Sequence, residues 1–171
     1  MTAPIPVPFS GARERVRKDW IDYNGHLNVG YYHVAFDTAS DLFFDFLGLT
    51  ARFRADHQGT TFALESHLNF LREVKEGDTL RFESRLIDFD AKRIHFYMEM
   101  FHADEGYLAA SYESLSSYVS MATRRTASMP AGLLDRLAAV KAAHSVLPRP
   151  WQLGHAISVR PPPRKEAPDP E

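Results

Sequence analysis

Cysteine is absent from all 171 residues, which excludes disulfides, thiolate zinc sites and a cysteine nucleophile together. Nor is there an excess of one charge. Lys and Arg number 20 against 22 Asp and Glu, leaving −2 at pH 7 and no broad basic field to favour nucleic acid or an anionic membrane. No apolar run nears the ~20 residues that span a bilayer. The N-terminal MTAPIPVPFS lacks the basic start and apolar centre of a secretory signal. Together these absences predict a cytoplasmic protein. His33, His57, His95 and His102 show no H-x-x-x-H spacing, so no metal site is predicted. What remains is ordinary for a globular protein, with 44% hydrophobic residues and enough chain for one sizeable core.

The most informative stretch is 20–48, WIDYNGHLNVGYYHVAFDTASDLFFDFLG. Asp22-Tyr23-Asn24-Gly25-His26-Leu27-Asn28 has turn chemistry. From Val29 onward, Tyr32, Ala35, Phe36, Ala39, Leu42, Phe43, Phe46 and Leu47 recur at three- and four-residue steps and mark one face of a helix. Asn28 is placed to cap it and Gly48 to end it. Asp22 thus lies one short loop before a helix N-terminus, whose free N–H groups attract negative charge. A carboxylate facing such donors suits acyl chemistry. The plainer reading of Asp22, Gly25 and His26 is a cap, a permissive φ and a loop hydrogen bond.

Residues 1–11 hold three prolines and read as an extended leader. Ala12 to Trp20 is strand-like, suited to a charged edge or lead-in strand, and Thr50 to Gly59 reads as a surface connection. Four strands are predicted at 60–74, 79–89, 93–101 and 107–122, joined mostly by hairpin-sized turns. In 79–89, Leu80, Phe82, Ser84 and Leu86 alternate with Arg81, Glu83 and Arg85. Consecutive strands with tight turns form an antiparallel meander, which must wrap around the one long helix available. The fold class is therefore α+β, with a sheet of about five strands. A second helix begins at Ser128-Met129-Pro130 and carries Leu133, Leu134, Leu137 and Val140. The domain spans 12–147. A Pro-rich arm follows at 148–171, with Trp151 to Val159 able to dock and 160–171 expected to be disordered.

The pattern D-x-x-G-H-x-N, followed by Tyr31-Tyr32 and then F-D-T-A-S inside the helix, resembles the 4-hydroxybenzoyl-CoA thioesterase family of hotdog-fold enzymes. That resemblance implies the hotdog fold and hydrolysis of a small acyl-CoA to free acid and CoA. It also implies no metal or redox cofactor, coenzyme A being part of the substrate, and a homodimer or tetramer whose sites lie near the subunit contact. Asp22 would be the catalytic carboxylate, attacking directly or activating water. The oxyanion would be held by the backbone N–H at Val29. Asp37 falls where the family often has an acidic residue and reads as structural, while Asp41 and Asp45 read as a solvated face.

The run T-F-A-L-E-S-H-L-N-F-L-R-E-V resembles a narrower subgroup, the betainyl-CoA thioesterases of carnitine breakdown. W-x-D-Y-N-G-H and Lys92-Arg93-Ile94-His95 match it as well. Glu65-Ser66-His67 interrupts an apolar strand, where polar groups need partners, and the strand's centre is expected close to the helix N-terminus. The subgroup implies a supporting role for Glu65 and substrate contacts from His26, Asn28 and His67. A trimethylammonium group calls for aromatic walls with a carboxylate nearby, and Trp20, Tyr23, Tyr97, Tyr112 and Glu65 are the candidates. Arg72, Lys92, Arg93, Arg124 and Arg125 lie at strand ends or turns, where they can reach CoA phosphates. The alternative reading is a non-catalytic acyl-CoA or small-ligand binder on the same fold. An enoyl-CoA hydratase would want an Asp/His dyad that the Asp22 loop does not match.

Overall fold

The fold is built on helix α1 (Val29–Leu47), whose ends lie where local chemistry puts them. Asn28 is extended, and its Oδ1 accepts the Gly30 N–H at 2.9 Å. Gly48 closes the helix in the left-handed region at φ 107°, a conformation that glycine adopts without a Cβ clash. Tyr32, Ala35, Phe36, Ala39, Ser40, Phe43 and Leu47 are buried along one face. Leu42, expected in that stripe, is exposed. The computed structural model describes residues 4–159; the tail expected to be disordered, 160–171, lies outside them.

Around α1 curls an antiparallel sheet of β1 (Phe9–Arg15), β2 (Gly59–Phe70), β3 (Thr79–Phe89), β4 (Arg93–His102) and β5 (Leu108–Ser120), with a two-residue β6 (Arg125–Thr126) beside β5. The inner face carries Leu80, Phe82, Ser84 and Leu86 from β3 and Ile94, Phe96, Met98 and Met100 from β4, all buried. Tyr112 of β5 stacks on Phe36 at 5.2 Å. One long helix wrapped by a curled sheet is the expected α+β hotdog arrangement.

Four details differ from the sequence reading. The spatial order is β1-β3-β4-β5-β2, so β3 to β5 form the meander while β2 sits beyond β5 at the free edge. The 71–78 link carries the chain across the sheet's end, bound by Leu71 and Arg72 N–H to the Ala109 carbonyl and by the Val16 N–H to the Asp78 carbonyl. The 50–59 stretch forms a helix, α2 (Ala51–His57), because the Thr50 hydroxyl caps the Phe53 N–H. The first strand ends at Arg15, and Lys18–Trp20 is a single 3₁₀ turn. Helix α3 (Ala131–His144) starts after Pro130 with no side-chain cap, so Ser128 does not serve as one.

Helix α3 buries Leu133, Leu137, Val140 and His144. The His144 Nδ1 accepts the Leu86 N–H at 3.0 Å, and Nε2 faces the Pro6 carbonyl at 3.0 Å. Both bonds are made by a neutral ring with its proton on Nε2. Burial holds this imidazole below its ordinary range, with Arg85 adding to the effect. Its contribution to stability is complete above the unfolded value of about 6.5 and is lost as pH falls through that value towards the folded one. Melting temperature is therefore expected to fall between pH 7 and pH 5, and His144→Gln to flatten that slope. Equal slopes in the two proteins would remove His144 from the account.

Candidate active site

The Asp22 loop is a tight hairpin closed by a bridge between Ile21 and Leu27. The Asp22 N–H donates to the His26 carbonyl, the Gly25 N–H returns to the Asp22 carbonyl, and Gly25 takes φ 82°. That is the turn role expected of Gly25. One carboxylate oxygen, Oδ1, accepts the Asn24 N–H at 2.8 Å, so the loop itself fixes the side chain and leaves Oδ2 without a local donor. The loop is then anchored twice. The Leu27 N–H reaches the Val74 carbonyl on the 71–78 link, and the Asn28 N–H reaches the Trp20 carbonyl.

Helix α1 begins at once. The Gly30 N–H is taken by the Asn28 side chain and the Tyr31 N–H by the Asn28 carbonyl. The Val29 N–H, first in the helix, has no acceptor among the described residues. No acidic side chain sits in the first turn to compete for the positive end of the helix dipole. Asp22 and Val29 line one cavity of about 340 Å³ with His26, Tyr32, Phe70 and Arg72. Tyr32 packs edge-on against Phe70 at 5.1 Å, and burial pushes its phenol up to about 12, so it stays a neutral wall. The cavity thus offers the Asp22 carboxylate, a free N–H, an apolar flank and, at its rim, the cation of Arg72 beside a second acidic residue, Glu73.

The other predicted residues are dispersed. Asn28 is the cap, and His26 lines the cavity with its Nδ1 3.3 Å from the Leu27 carbonyl. Trp20 is buried and stacked on Tyr31. Tyr23 is 97% exposed and points away from the core. Glu65 and His67 do not interrupt a buried strand. β2 is largely exposed, and their register partners Leu115 and Glu113 put them on the outer face of the sheet. There, with His95, Glu113 and His155, they line a separate cavity under the C-terminal arm. Glu113 accepts the Gly154 N–H at 2.7 Å and faces His95 Nε2 at 2.8 Å, while the His67 and His155 rings stack at 6.2 Å. Among the described residues, no three His, Cys, Asp or Glu side chains converge as a metal would require.

Tyr97 is fully buried, and burial pushes its phenol up to about 12. Of the expected aromatic wall, only Tyr112 lines an inner cavity, and that one is not the Asp22 cavity. Arg72 lies over the Tyr107 ring at 3.9 Å and is the one predicted cation at the Asp22 cavity. Lys92 lies in the β3–β4 turn and Arg93 opens β4, while Arg124 lies in the β5–β6 turn and Arg125 opens β6, all at the far end of β5 and β2. Tyr32 and Phe70 were missed as walls. Tyr32 belongs to the helix stripe and Phe70 to a strand end, and neither position shows in sequence which cavity it faces.

A sequence profile of the thioesterase-like superfamily matches residues 16–137. The chain belongs to that superfamily. This thioesterase-like chain is 35% identical over 146 residues to the betainyl-CoA thioesterase of Pseudomonas aeruginosa, covering 85% of this chain and 92% of that protein. It is 30% identical over 156 residues to an L-carnitine dehydrogenase/betainyl-CoA thioesterase of Ruegeria pomeroyi, covering 91% of this chain and 31% of that longer protein. A Staphylococcus aureus protein solved in complex with CoA superposes with a TM-score of 0.82 at 27% identity, over 94% of this chain and all of that one. The chain is a thioester hydrolase of this superfamily.

Proposed function

We propose that this thioesterase hydrolyses a small acyl-CoA, betainyl-CoA in the first place, to betaine and free CoA, with Asp22 as the reacting carboxylate. The observation that carries the reading is the meeting of Asp22 and the unpartnered Val29 N–H in one cavity. The names of the relatives supply the acyl group. In this reading Asp22 takes a proton from water as the water oxygen attacks the thioester carbon, or its own oxygen attacks that carbon. The carbonyl oxygen becomes negative and is met by the Val29 N–H at the helix start. The C–S bond then breaks. After attack by water the CoA sulfur leaves with the proton that Asp22 took. After direct attack it leaves as a thiolate protonated by solvent, while water cleaves the acyl–Asp22 anhydride to betaine and the free carboxylate. Arg72 is suited to the CoA phosphates at the rim. The reaction fits the cytoplasm, where CoA thioesters are made and used.

The working form is a homodimer paired edge to edge through β2. Among the described residues that strand has one edge unpaired along Gly59–Phe70, and such an edge is a template for another chain. Phe62, Leu64 and Phe70 on it are exposed, as are Val34 and Leu42 on α1. The test is release of free thiol, read with DTNB, from a panel of betainyl-CoA, aromatic and straight-chain acyl-CoAs, with sedimentation of the same sample. Turnover of betainyl-CoA by a dimer is expected. Tight binding of every acyl-CoA without thiol release would replace the enzyme with a non-catalytic binder.

A further inference from the structure

We infer that Tyr107 is a positioning residue for coenzyme A: its ring holds the Arg72 guanidinium at the rim of the Asp22 cavity, ready for the phosphates. The inference rests on the preceding reading of Arg72 and adds the residue that makes Arg72 effective.

Arg72 has little else to hold it. Its side chain is more than half exposed, and its ionic neighbour among the described residues is Glu105, itself more than half exposed, at 3.9 Å. An exposed pair at that distance restrains a long side chain weakly. The Glu73 carboxylate, also at the rim, lies 3.3 Å from the Lys75 ammonium. By contrast, the Arg72 Cζ is 3.9 Å from the centre of the Tyr107 ring. A guanidinium laid on a ring keeps its N–H groups free at its edge, so it can still fork onto a phosphate. Much of the rotamer freedom that phosphate binding would remove is given up beforehand.

Tyr107 can serve as that platform because its own surroundings are fixed. It closes the β4–β5 turn, where the His102 N–H donates to the Tyr107 carbonyl at 3.0 Å and the Gly106 N–H to the His102 carbonyl at 2.9 Å. The His102 ring lies 5.0 Å from the phenol, and its Nδ1 accepts the Glu105 N–H at 3.1 Å. That bond leaves the ring proton on Nε2, 3.4 Å from the Asp78 carboxylate. Asp78 in turn accepts the Lys75 N–H at 2.7 Å, so the turn and the 71–78 link are tied together. The Tyr107 hydroxyl donates to the Glu73 carbonyl at 2.8 Å. The next carbonyl of the link, that of Val74, accepts the Leu27 N–H of the Asp22 hairpin. Ring and hydroxyl thus act on neighbouring residues, the ring on the Arg72 side chain and the hydroxyl on the backbone beside it. Burial, with the charges of Asp78 and Glu105, holds the phenol above its ordinary range. The ring therefore stays neutral and attracts the cation through its π face.

The test compares affinity for free CoA with affinity for pantetheine, which lacks the nucleotide and all the phosphates. Titration calorimetry is run on wild type, Tyr107→Leu, Tyr107→Phe, Arg72→Ala and the Arg72→Ala/Tyr107→Leu double variant. Tyr107→Leu should raise the Kd for CoA about two- to fivefold, the scale of an exposed cation–π contact. Tyr107→Phe loses the hydroxyl but keeps the ring, and should bind CoA like wild type. Pantetheine should bind both Tyr107 variants like wild type. In the Arg72→Ala background Tyr107→Leu should add nothing, as it must for a residue that acts through Arg72. Equal losses for CoA and pantetheine, equal losses in the Leu and Phe variants, or additive losses in the double variant would overturn the inference. Unchanged CoA affinity in Arg72→Ala would overturn it as well, together with the phosphate role of Arg72, while hydrolysis at Asp22 would stand. Absence of thiol release by the wild type would instead remove the hydrolytic reading of Asp22, with the CoA titrations still deciding the role of Tyr107.

Discussion

Asp22→Asn should lower kcat for thioester hydrolysis by ~10²–10⁴ while leaving the melting temperature and the affinity for acyl-CoA close to wild type. The loop explains the separation. Asp22 Oδ1 accepts the Asn24 N–H at 2.8 Å, and the amide oxygen of asparagine accepts the same bond. The Ile21–Leu27 bridge and the Leu27 bond to Val74 are backbone contacts that the substitution does not touch. What is lost is the anionic oxygen, and with it both direct attack and activation of water. Steady-state kinetics paired with thermal unfolding checks the prediction. A variant that melts early yet hydrolyses normally per folded molecule would return Asp22 to the role of a turn residue.

The largest effect on stability is expected at Phe36. Its side chain is fully buried, edge-on to Phe82 at 5.5 Å and stacked on Tyr112 at 5.2 Å. It therefore ties α1 to both the β3 and β5 sides of the sheet. Removing a buried ring costs the transfer of its surface and leaves a cavity that the neighbours fill only partly, typically ~3–5 kcal/mol for Phe→Ala. Phe36→Ala should lose stability on that scale in urea unfolding. Phe36→Leu, which keeps most of the volume, should lose considerably less. Comparable losses in both would mean that ring stacking, rather than volume, dominates at this position.

The parts of the fold legible in sequence are those decided by near neighbours. Asn28, the apolar steps of α1 and Gly48 act within a turn or two of where they stand, so the loop and helix that hold Asp22 could be read directly. The alternation in β3 was legible for the same reason, since one face of a strand repeats every two residues. Helix α2 was not, because its start depends on a single Thr50 hydroxyl in a polar run with no buried side chain to give it a period. The place of β2 at the edge was not legible either. Its partner is β5, some fifty residues away, and the 71–78 link is short enough to resemble a hairpin connection.

The fate of Glu65 and His67 turns on one residue. Thr61 pairs with Tyr118 and Ala63 with Ser116, both on the inner face, and strict alternation would have carried Glu65 to Ser114 on that same face. A bulge between Ala63 and Glu65 pairs Glu65 with Leu115 instead. That one-residue shift sends Glu65 and His67 to the outside of the sheet. Nothing in the local composition marks the bulge, so the motif was visible in the sequence and its direction was not.

The outer face of the sheet has its own tenant. Gln152 and Leu153 are buried, the Arg85 guanidinium donates to the Pro148 carbonyl, and the Gly154 N–H donates to Glu113. A β-sheet left bare on its convex side offers a flat surface for packing another chain, and here the segment around Pro148 to Gly154 already occupies that ground. Higher assembly by this route would have to evict the arm and break each of those bonds.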